Sequence, residues 1–287
     1  MGRDRGMIFD DTPCTLGEGA LWHSDRNALV WFDILSKRMY IKPVGGMRQH
    51  WDFDDHVSAA GIVDADRLIV ASSRALMLFD LRDGSRSTLT DLEADNPLTR
   101  SNDGRADPQG GFWIGTMGLN AEKGAGSIWR FYRGQLRQLF TDITITNAIC
   151  FAPSGDAACF TDTANGVIMR VALDADGWPL GDPEPFIDLR AEGLNPDGAV
   201  MDAEGGLWSA QWGASRVARY DARGRFDRAV MLPAAHVSCP AIGGVGLDTL
   251  FATSATQGLD APGPHDGCTF AVPLGGKGQP EHRVILG

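Results

Sequence analysis

The chain lacks several features that mark whole classes of proteins. Its 287 residues contain no apolar run long enough to span a bilayer, and the N-terminal residues are followed by no hydrophobic region typical of a secretory signal. Position 6 is Gly, so the Ser or Thr of a myristoylation signal is missing. Acidic residues outnumber basic ones, 37 to 26, and the basic residues are dispersed, which argues against nucleic-acid binding. We therefore expect a cytoplasmic protein that binds neither a membrane nor a nucleic acid.

Cysteine and known catalytic motifs are also scarce. The five cysteines have no Cys-x-x-Cys spacing, which argues against a zinc cluster or a disulfide framework and favours buried thiols in a reducing compartment. The sequences His-Glu-x-x-His, P-loop and Gly-x-Ser-x-Gly do not occur. The six histidines are isolated, so we expect them to be structural or exposed. Among the aromatic side chains, His236 could lie near a substrate and Trp212 could line a pocket.

What the chain does contain is abundant glycine and an internal repeat. Its 36 glycines suit many short strands joined by tight turns, and long helical periodicity is absent. Six units, spaced 40 to 50 residues apart, each comprise a polar residue, a turn about eight residues later and an apolar strand. The polar residues are, in chain order, Glu18, Ser58, Asn102, Asn147, Asp197 and Ser238. The strands after the turns cover residues 28–32, 68–71, 112–116, 158–162, 207–211 and 249–252.

Each unit continues with a second alternating strand and, in several units, a further short one. The second strands cover residues 38–44, 75–81, 127–132, 167–173, 216–221 and 268–274. Four short antiparallel strands per unit, repeated six times, are typical of a β-propeller, whereas a β-sandwich would not explain the constant phase. We predict an all-β fold with one domain over residues 1–287, a six-bladed β-propeller with four-stranded blades around a central channel. Residues 7–11 and 281–286 are predicted to complete one blade jointly.

The constant phase of the polar residues predicts a site at the mouth of this channel. Equivalent positions in successive blades surround the axis, so four oxygen-bearing side chains should converge there. They are Glu18, Asn102, Asn147 and Asp197. Each alone could be a turn, a strand cap or a surface charge, but such roles have no reason to recur at one offset.

Two carboxylates and one amide in this group form an oxygen-only ligand set for a metal. Glu18, Asn147 and Asp197 would favour Ca²⁺, Mg²⁺ or Mn²⁺, whereas Zn²⁺ would have no His or Cys support. Three protein ligands leave coordination positions open, as a catalytic metal requires. Arg100 and Asn102 lie on one face of an extended segment, where a guanidinium and an amide could grip a polyhydroxylated substrate. An ordinary surface ion pair is the alternative for Arg100.

Three motifs resemble those of the SMP-30/gluconolactonase/luciferin-regenerating-enzyme family of sugar lactonases, and the resemblance covers nearly the whole chain. They are Leu-Gly-Glu-Gly-Ala-Leu-Trp (16–22), Ser-Asn-Asp-Gly-Arg-Ala-Asp-Pro-Gln-Gly-Gly-Phe-Trp-Ile-Gly-Thr-Met (101–117) and Pro-Asp-Gly-Ala-Val-Met-Asp-Ala-Glu-Gly-Gly-Leu-Trp (196–208). The resemblance implies a six-bladed propeller with one divalent cation at the channel mouth. The implied metal ligands are Glu18, Asn147 and Asp197, and the implied substrate contacts are Arg100 and Asn102, with Asp103 close by.

Two positions depart from the family pattern. Ala148 replaces the Gly that commonly follows the family Asn, a change that the metal ligand should survive. Some members have a further substrate-binding acid after the Gly-Thr-Met stretch, and here Asn120 and Glu122 are both candidates for that position. The specificity for a particular sugar therefore does not follow from the resemblance.

The resemblance implies metal-dependent hydrolysis of an aldonolactone, such as a glucono-, xylono- or arabinonolactone, to the aldonic acid in carbohydrate catabolism. Ca²⁺ is the first expectation for the metal, with Zn²⁺, Mn²⁺ and Mg²⁺ as alternatives, and the metal would polarise the lactone carbonyl. Asp197, or a water that it shares with the metal, is the expected general base, with proton transfer shared by Asp103 or Glu18 as the alternative. The alternatives are hydrolysis of phosphotriesters or other esters on the same metal, and a non-catalytic Ca²⁺-binding scaffold. We expect a monomer whose partner is a small sugar lactone.

Overall fold

A ring of six β-sheets surrounds a central channel. The computed structural model describes residues 7–287; residues 1–6, on which the expectations about an N-terminal signal and the start of the predicted domain depend, lie outside the described residues. The described chain forms 24 strands in six four-stranded antiparallel sheets. The innermost strands of successive sheets contact one another, and the first contacts the last, so the ring is closed. The predicted six-bladed β-propeller is confirmed.

Each blade extends from an inner strand at the channel to an outer strand at the surface. Blades one to three consist of β2 (Gly17–His23), β3 (Ala28–Asp33), β4 (Arg38–Pro43) and β5 (Gln49–Asp52); β6 (Val57–Ile62), β7 (Arg67–Ser72), β8 (Ala75–Asp80) and β9 (Arg86–Asp91); and β10 (Thr99–Ala106), β11 (Phe112–Gly118), β12 (Gly126–Tyr132) and β13 (Gln135–Ile143). Blades four to six consist of β14 (Thr146–Phe151), β15 (Ala157–Asp162), β16 (Val167–Leu173) and β17 (Pro179–Asp188); β18 (Asn195–Met201), β19 (Leu207–Trp212), β20 (Arg216–Tyr220) and β21 (Phe226–Met231); and β22 (His236–Gly243), β23 (Thr249–Ala255), β24 (Thr269–Pro273) and β1 (Ile8–Asp10).

The core lies between neighbouring blades. The predicted apolar strands form the second strand of each blade, and their tryptophans at positions 31, 113 and 208 are fully buried. Such large side chains contribute much of the apolar area that holds one blade against the next. Two short 3₁₀ turns, Ser24–Arg26 and Thr163–Asn165, are the helical elements of the described chain. Neither they nor any other helix in residues 7–287 has the length and apolar character that crossing a membrane requires.

The two ends of the described chain behave differently from each other. β1 pairs with β24 as the outermost strand of blade six, as predicted for residues 7–11. The prediction for residues 281–286 is wrong, because β1 already fills the fourth position of that blade. This segment instead crosses the end of the ring opposite the predicted site, where the Val284 N–H donates to Ile62 O (2.7 Å) and the Ile285 N–H to Gly110 O (2.8 Å).

Two of the sequence motifs are explained by folding. Asp107 ends the inner segment of blade three, and its carboxylate accepts hydrogen bonds from Gly111 N (2.8 Å), Trp113 Nε1 (3.2 Å) and Arg130 Nε (2.6 Å). Asp202 of blade five accepts the same three kinds of bond, from Gly206 N (2.8 Å), Trp208 Nε1 (2.9 Å) and Arg219 Nε (2.7 Å). The recurring Asp and Gly-Gly-x-Trp elements therefore hold the turn between the first two strands of a blade.

Candidate metal and substrate site

Every inner strand has a β-bulge at or next to the predicted polar position. The register with the second strand shifts at residues 18–21, 57–59, 101–104, 147–150, 196–199 and 237–240. A bulge changes the direction of a side chain locally and is common beside functional sites. The structure brings Glu18, Asn102, Asn147 and Asp197 to one cavity of about 810 Å³.

The two serines at the same phase have a different role. Ser58 Oγ donates to Ser101 Oγ (2.8 Å), and Ser238 Oγ donates to the carbonyl oxygen of Gly17. Both hydroxyl groups therefore join neighbouring blades, and neither serine lines the cavity. Blades two and six contribute no candidate ligand at this position.

Glu18 and Asp197, the two carboxylates of the candidate ligand set, are buried close to other carboxylates. Burial raises the pKa of Glu18 to about 8, and the Asp103 carboxylate adds to this shift. Burial also raises the pKa of Asp197 well above its usual range, and the Glu18 and Asp103 carboxylates contribute further. Arg100 partly offsets both shifts, but its Nη1 donates to Asn102 Oδ1 (2.7 Å) and Ser101 O (2.9 Å). With its carboxylates ionised, the site would hold more negative charge than Arg100 neutralises.

A divalent cation fits this donor set. Two carboxylates with raised pKa values and an amide oxygen are hard ligands, which suit Ca²⁺, Mg²⁺ or Mn²⁺. Among residues 7–287, no group of three or more His, Cys, Asp or Glu side chains is arranged to hold a metal. The set Glu18, Asn147 and Asp197 therefore depends on the amide as its third ligand.

Hydrogen bonds fix the orientation of the Asn147 amide. Asn147 Nδ2 donates to Thr163 Oγ1 (2.9 Å), and that hydroxyl is committed as a donor to Pro196 O (2.7 Å). Asn147 Oδ1 accepts from Asn102 Nδ2 (3.3 Å), whose amide also donates to Thr146 O (2.9 Å). The reversed amide would place two NH₂ groups against each other. The oxygen of Asn147 is thereby held toward Asn102, which also lines the cavity.

Asp103 stabilises the segment that carries Asn147. Its Oδ2 accepts a hydrogen bond from Ile149 N (2.7 Å), which follows Ala148 in the left-handed conformation (φ 55°). Burial raises the pKa of Asp103 to about 6. Asp103 is not among the residues that line the cavity, so its predicted contact with a substrate stays a prediction. Its bond to Ile149 holds the bulge that carries Asn147.

Thr163→Val is expected to weaken metal binding by about 10- to 100-fold, because loss of the hydroxyl frees the Asn147 amide to rotate. Thr163→Ser keeps the hydroxyl and should bind the metal like the wild type. Calorimetric titration of metal-stripped protein with Ca²⁺ or Mn²⁺ measures both. Equal affinities of wild type and Thr163→Val would contradict this role of Thr163.

The candidate substrate contacts lie on blade three. Arg100 and Asn102 both line the cavity and are joined by the hydrogen bond described above. Asn120, in the loop between β11 and β12, also lines the cavity, whereas Glu122 does not. Glu122 instead accepts hydrogen bonds from Asn120 N (3.0 Å) and Asn120 Nδ2 (2.9 Å). Of the two candidates, Asn120 is the one at the cavity, and Glu122 orients it.

Sequence reasoning missed Thr163 and gave little weight to the wall formed by Trp212 and His236. Thr163 follows β15 at the start of a 3₁₀ turn, outside the repeating phase, so the pattern held no signal for it. Trp212 and His236 both line the cavity. His236 begins β22 and does not lie in a loop before it.

The chain has clear similarity to known proteins over almost its whole length. A family model described as SMP-30/Gluconolactonase/LRE-like region matches residues 16–256. An L-arabinolactonase of Azospirillum brasilense is 34% identical over 93% of this chain and 91% of its own, and a 6-deoxy-6-sulfogluconolactonase of Pseudomonas putida is 32% identical over 91% of each. The crystal structure of a calcium-binding protein, regucalcin, from Agrobacterium tumefaciens is 38% identical, with a TM-score of 0.93 over 97% of both chains.

Proposed function

The chain belongs to the SMP-30/gluconolactonase/LRE-like family, and on that basis we propose that it hydrolyses a sugar lactone to the corresponding aldonic acid in a metal-dependent reaction. The observation that carries the proposal is the cavity in which Glu18, Asn147 and Asp197 lie beside Arg100 and Asn102. A purely structural metal site would not need an open cavity of about 810 Å³ or a cationic clamp beside the ligands.

A divalent cation held by Glu18, Asn147 and Asp197 would polarise the lactone carbonyl and stabilise the negative charge that develops on its oxygen. The Arg100 guanidinium and the Asn102 and Asn120 amides bind the ring hydroxyls and orient the ester for attack. An Asp197 carboxylate oxygen accepts the proton of the attacking water. The water oxygen bonds to the acyl carbon, the bond between that carbon and the ring oxygen breaks, and the proton accepted by Asp197 passes to the departing ring oxygen, which becomes a hydroxyl group of the aldonic acid.

The substrate class follows from what the cavity offers. Blades three, four and five each contribute at least one amide, guanidinium or carboxylate group to the cavity, which suits a ligand with several hydroxyls. Among the similar proteins, one is named for a pentose-derived and another for a sulfonated hexose-derived lactone. An aldonolactone is the ligand class that these names share, and it is the class we propose for this chain.

Removal of the metal is expected to abolish lactone hydrolysis, and restoring it should recover the activity. EDTA-stripped protein, assayed by pH indicator with Ca²⁺, Mg²⁺, Mn²⁺ or Zn²⁺ added back, should be tested against glucono-, galactono-, xylono- and arabinonolactone. The same ions should raise the melting temperature, since a ligand at about 100 times its Kd stabilises by roughly 2.7 kcal/mol.

Two outcomes would contradict the proposal. Full activity in the stripped protein would remove the metal from the reaction. A metal-induced rise in melting temperature with no lactone turned over above the spontaneous rate would leave metal binding intact and overturn the lactonase. A phosphotriester included in the panel would then test the alternative ester substrate.

A further inference from the structure

A stacked aromatic pair forms part of the cavity wall. Trp212 ends β19 and His236 begins β22, and their ring centroids lie 4.2 Å apart with planes inclined by 20°. Both side chains line the cavity and are partly buried. Blades three and six oppose each other in a six-bladed ring, so His236 lies across the channel from Arg100 and Asn102. The cavity therefore has a polar clamp on one side and an aromatic wall on the other.

A hydrogen bond to the backbone determines which ring nitrogen of His236 is the acceptor. His236 Nδ1 lies 2.9 Å from Gln257 O. A carbonyl oxygen only accepts, so Nδ1 carries the proton, and Nε2 of the neutral ring is an acceptor. No hydrogen bond joins Nε2 to another group in residues 7–287. The stack with Trp212 and the bond to Gln257 hold the ring in place with this acceptor unused.

Besides His236, blade six contributes Gln257 to the lining of the cavity, and the backbone oxygen of Gln257 is the partner of His236 Nδ1. The polar position of the blade is Ser238, whose hydroxyl is committed to Gly17 O below the cavity. The cavity wall at this point combines an indole, which can pack against the C–H face of a sugar ring, with the Nε2 acceptor of His236. A hydroxylated lactone presents both an apolar ring face and donor hydroxyls, so it matches this wall.

We propose that Trp212 and His236 determine which sugar lactone is bound. Trp212 packs against the C–H face of the lactone ring, and His236 Nε2 accepts a hydrogen bond from a hydroxyl on the side of the substrate remote from Arg100. This inference rests on the proposed lactonase function and adds its specificity. A site built to pair with a hydroxyl rejects an analogue that lacks it, because the acceptor is then left unpaired.

Kinetics of three variants on a panel of hydroxylated and matching deoxy-lactones test the wall. Trp212→Ala should raise KM by about tenfold with kcat within about threefold. His236→Phe keeps an aromatic ring without the acceptor, so it should raise the KM for the hydroxylated lactone. The KM for the deoxy analogue that lacks the hydroxyl bonded to His236 should stay unchanged. His236→Gln supplies an amide oxygen and should restore part of the preference. His50→Phe is the control, since His50 packs beside Tyr40 on the outer strand of blade one, away from the cavity.

A second measurement separates this proposal from the function on which it rests. Titration of metal-loaded protein with the aldonate product should change tryptophan fluorescence, and Trp212→Phe should remove most of that change. If the wild type hydrolyses lactones but all variants keep its KM values, the specificity wall is wrong. If the wild type hydrolyses no lactone, the lactonase proposal fails. A fluorescence change that does not depend on Trp212, or no change at all, overturns the proposal about Trp212 and His236 as well.

Discussion

Asp197→Ala is expected to lower kcat for lactone hydrolysis by roughly 10³-fold or more, because one side chain serves as both metal ligand and proton acceptor. Asp197→Asn should lose nearly as much, since an amide oxygen can still approach a cation but cannot accept the proton of water. The effect should appear in kcat and in metal affinity together. Asp91→Asn, on the outer strand of blade two, should leave both unchanged.

The same substitution should have the opposite effect on the stability of the metal-free protein. Burial and the nearby Glu18 carboxylate raise the pKa of Asp197, so the metal-free folded state disfavours the charged form of this side chain. Asp197→Asn removes that charge, so metal-free protein should melt at a higher temperature than the wild type, and added metal should raise it less. A variant that retained turnover, or that melted lower without metal, would contradict the assigned role of Asp197.

Asp107→Ala should lower the free energy of unfolding by about 3–5 kcal/mol. Asp107 and Arg130 form a salt bridge in which both side chains are fully buried, and the same carboxylate holds Trp113 and the turn at Gly111. Removing it leaves a guanidinium without its partner in the interior of blade three. Urea unfolding followed by tryptophan fluorescence measures the loss.

The control for this stability prediction is Asp221→Ala. Asp221 also pairs with an arginine, Arg225, but this pair lies at the surface of blade five. A solvent-exposed pair contributes little, so unfolding should hardly change. Similar unfolding curves for the Asp107 and Asp221 variants would show that the buried pair does not hold the blade.

The sequence contained the architecture because each blade repeats the same local order. The apolar strands after the turns, such as 112–116 and 207–211, form the second strands as predicted. The phase also identified the side chains that reach the cavity, since Glu18, Asn147 and Asp197 occupy equivalent bulges. Repetition made these positions visible without any knowledge of distances.

Contacts between side chains at different phases of the repeat could not be predicted from the sequence pattern. Thr163 orients Asn147 from the end of a different strand, and Trp212 stacks on His236 from the neighbouring blade. These pairs are 16 or more residues apart and have no common offset, so no pattern in the sequence links them. The prediction for residues 281–286 was wrong for a related reason. These residues look like a strand, but they bond to Ile62 and Gly110 at the end of the channel opposite the candidate site. The folded arrangement of the strands, within a blade and between blades, determines all three.

Where the metal binds is the central claim, and an anomalous-scattering measurement on crystals grown with Mn²⁺ tests it most directly. We predict one strong peak bound by Glu18, Asn147 Oδ1 and Asp197, at oxygen distances of about 2.0–2.6 Å. The same protein preparation should hydrolyse lactones only when Mn²⁺ is present. An Mn²⁺-dependent lactonase whose peak lies elsewhere, with these three side chains unligated, would contradict the account.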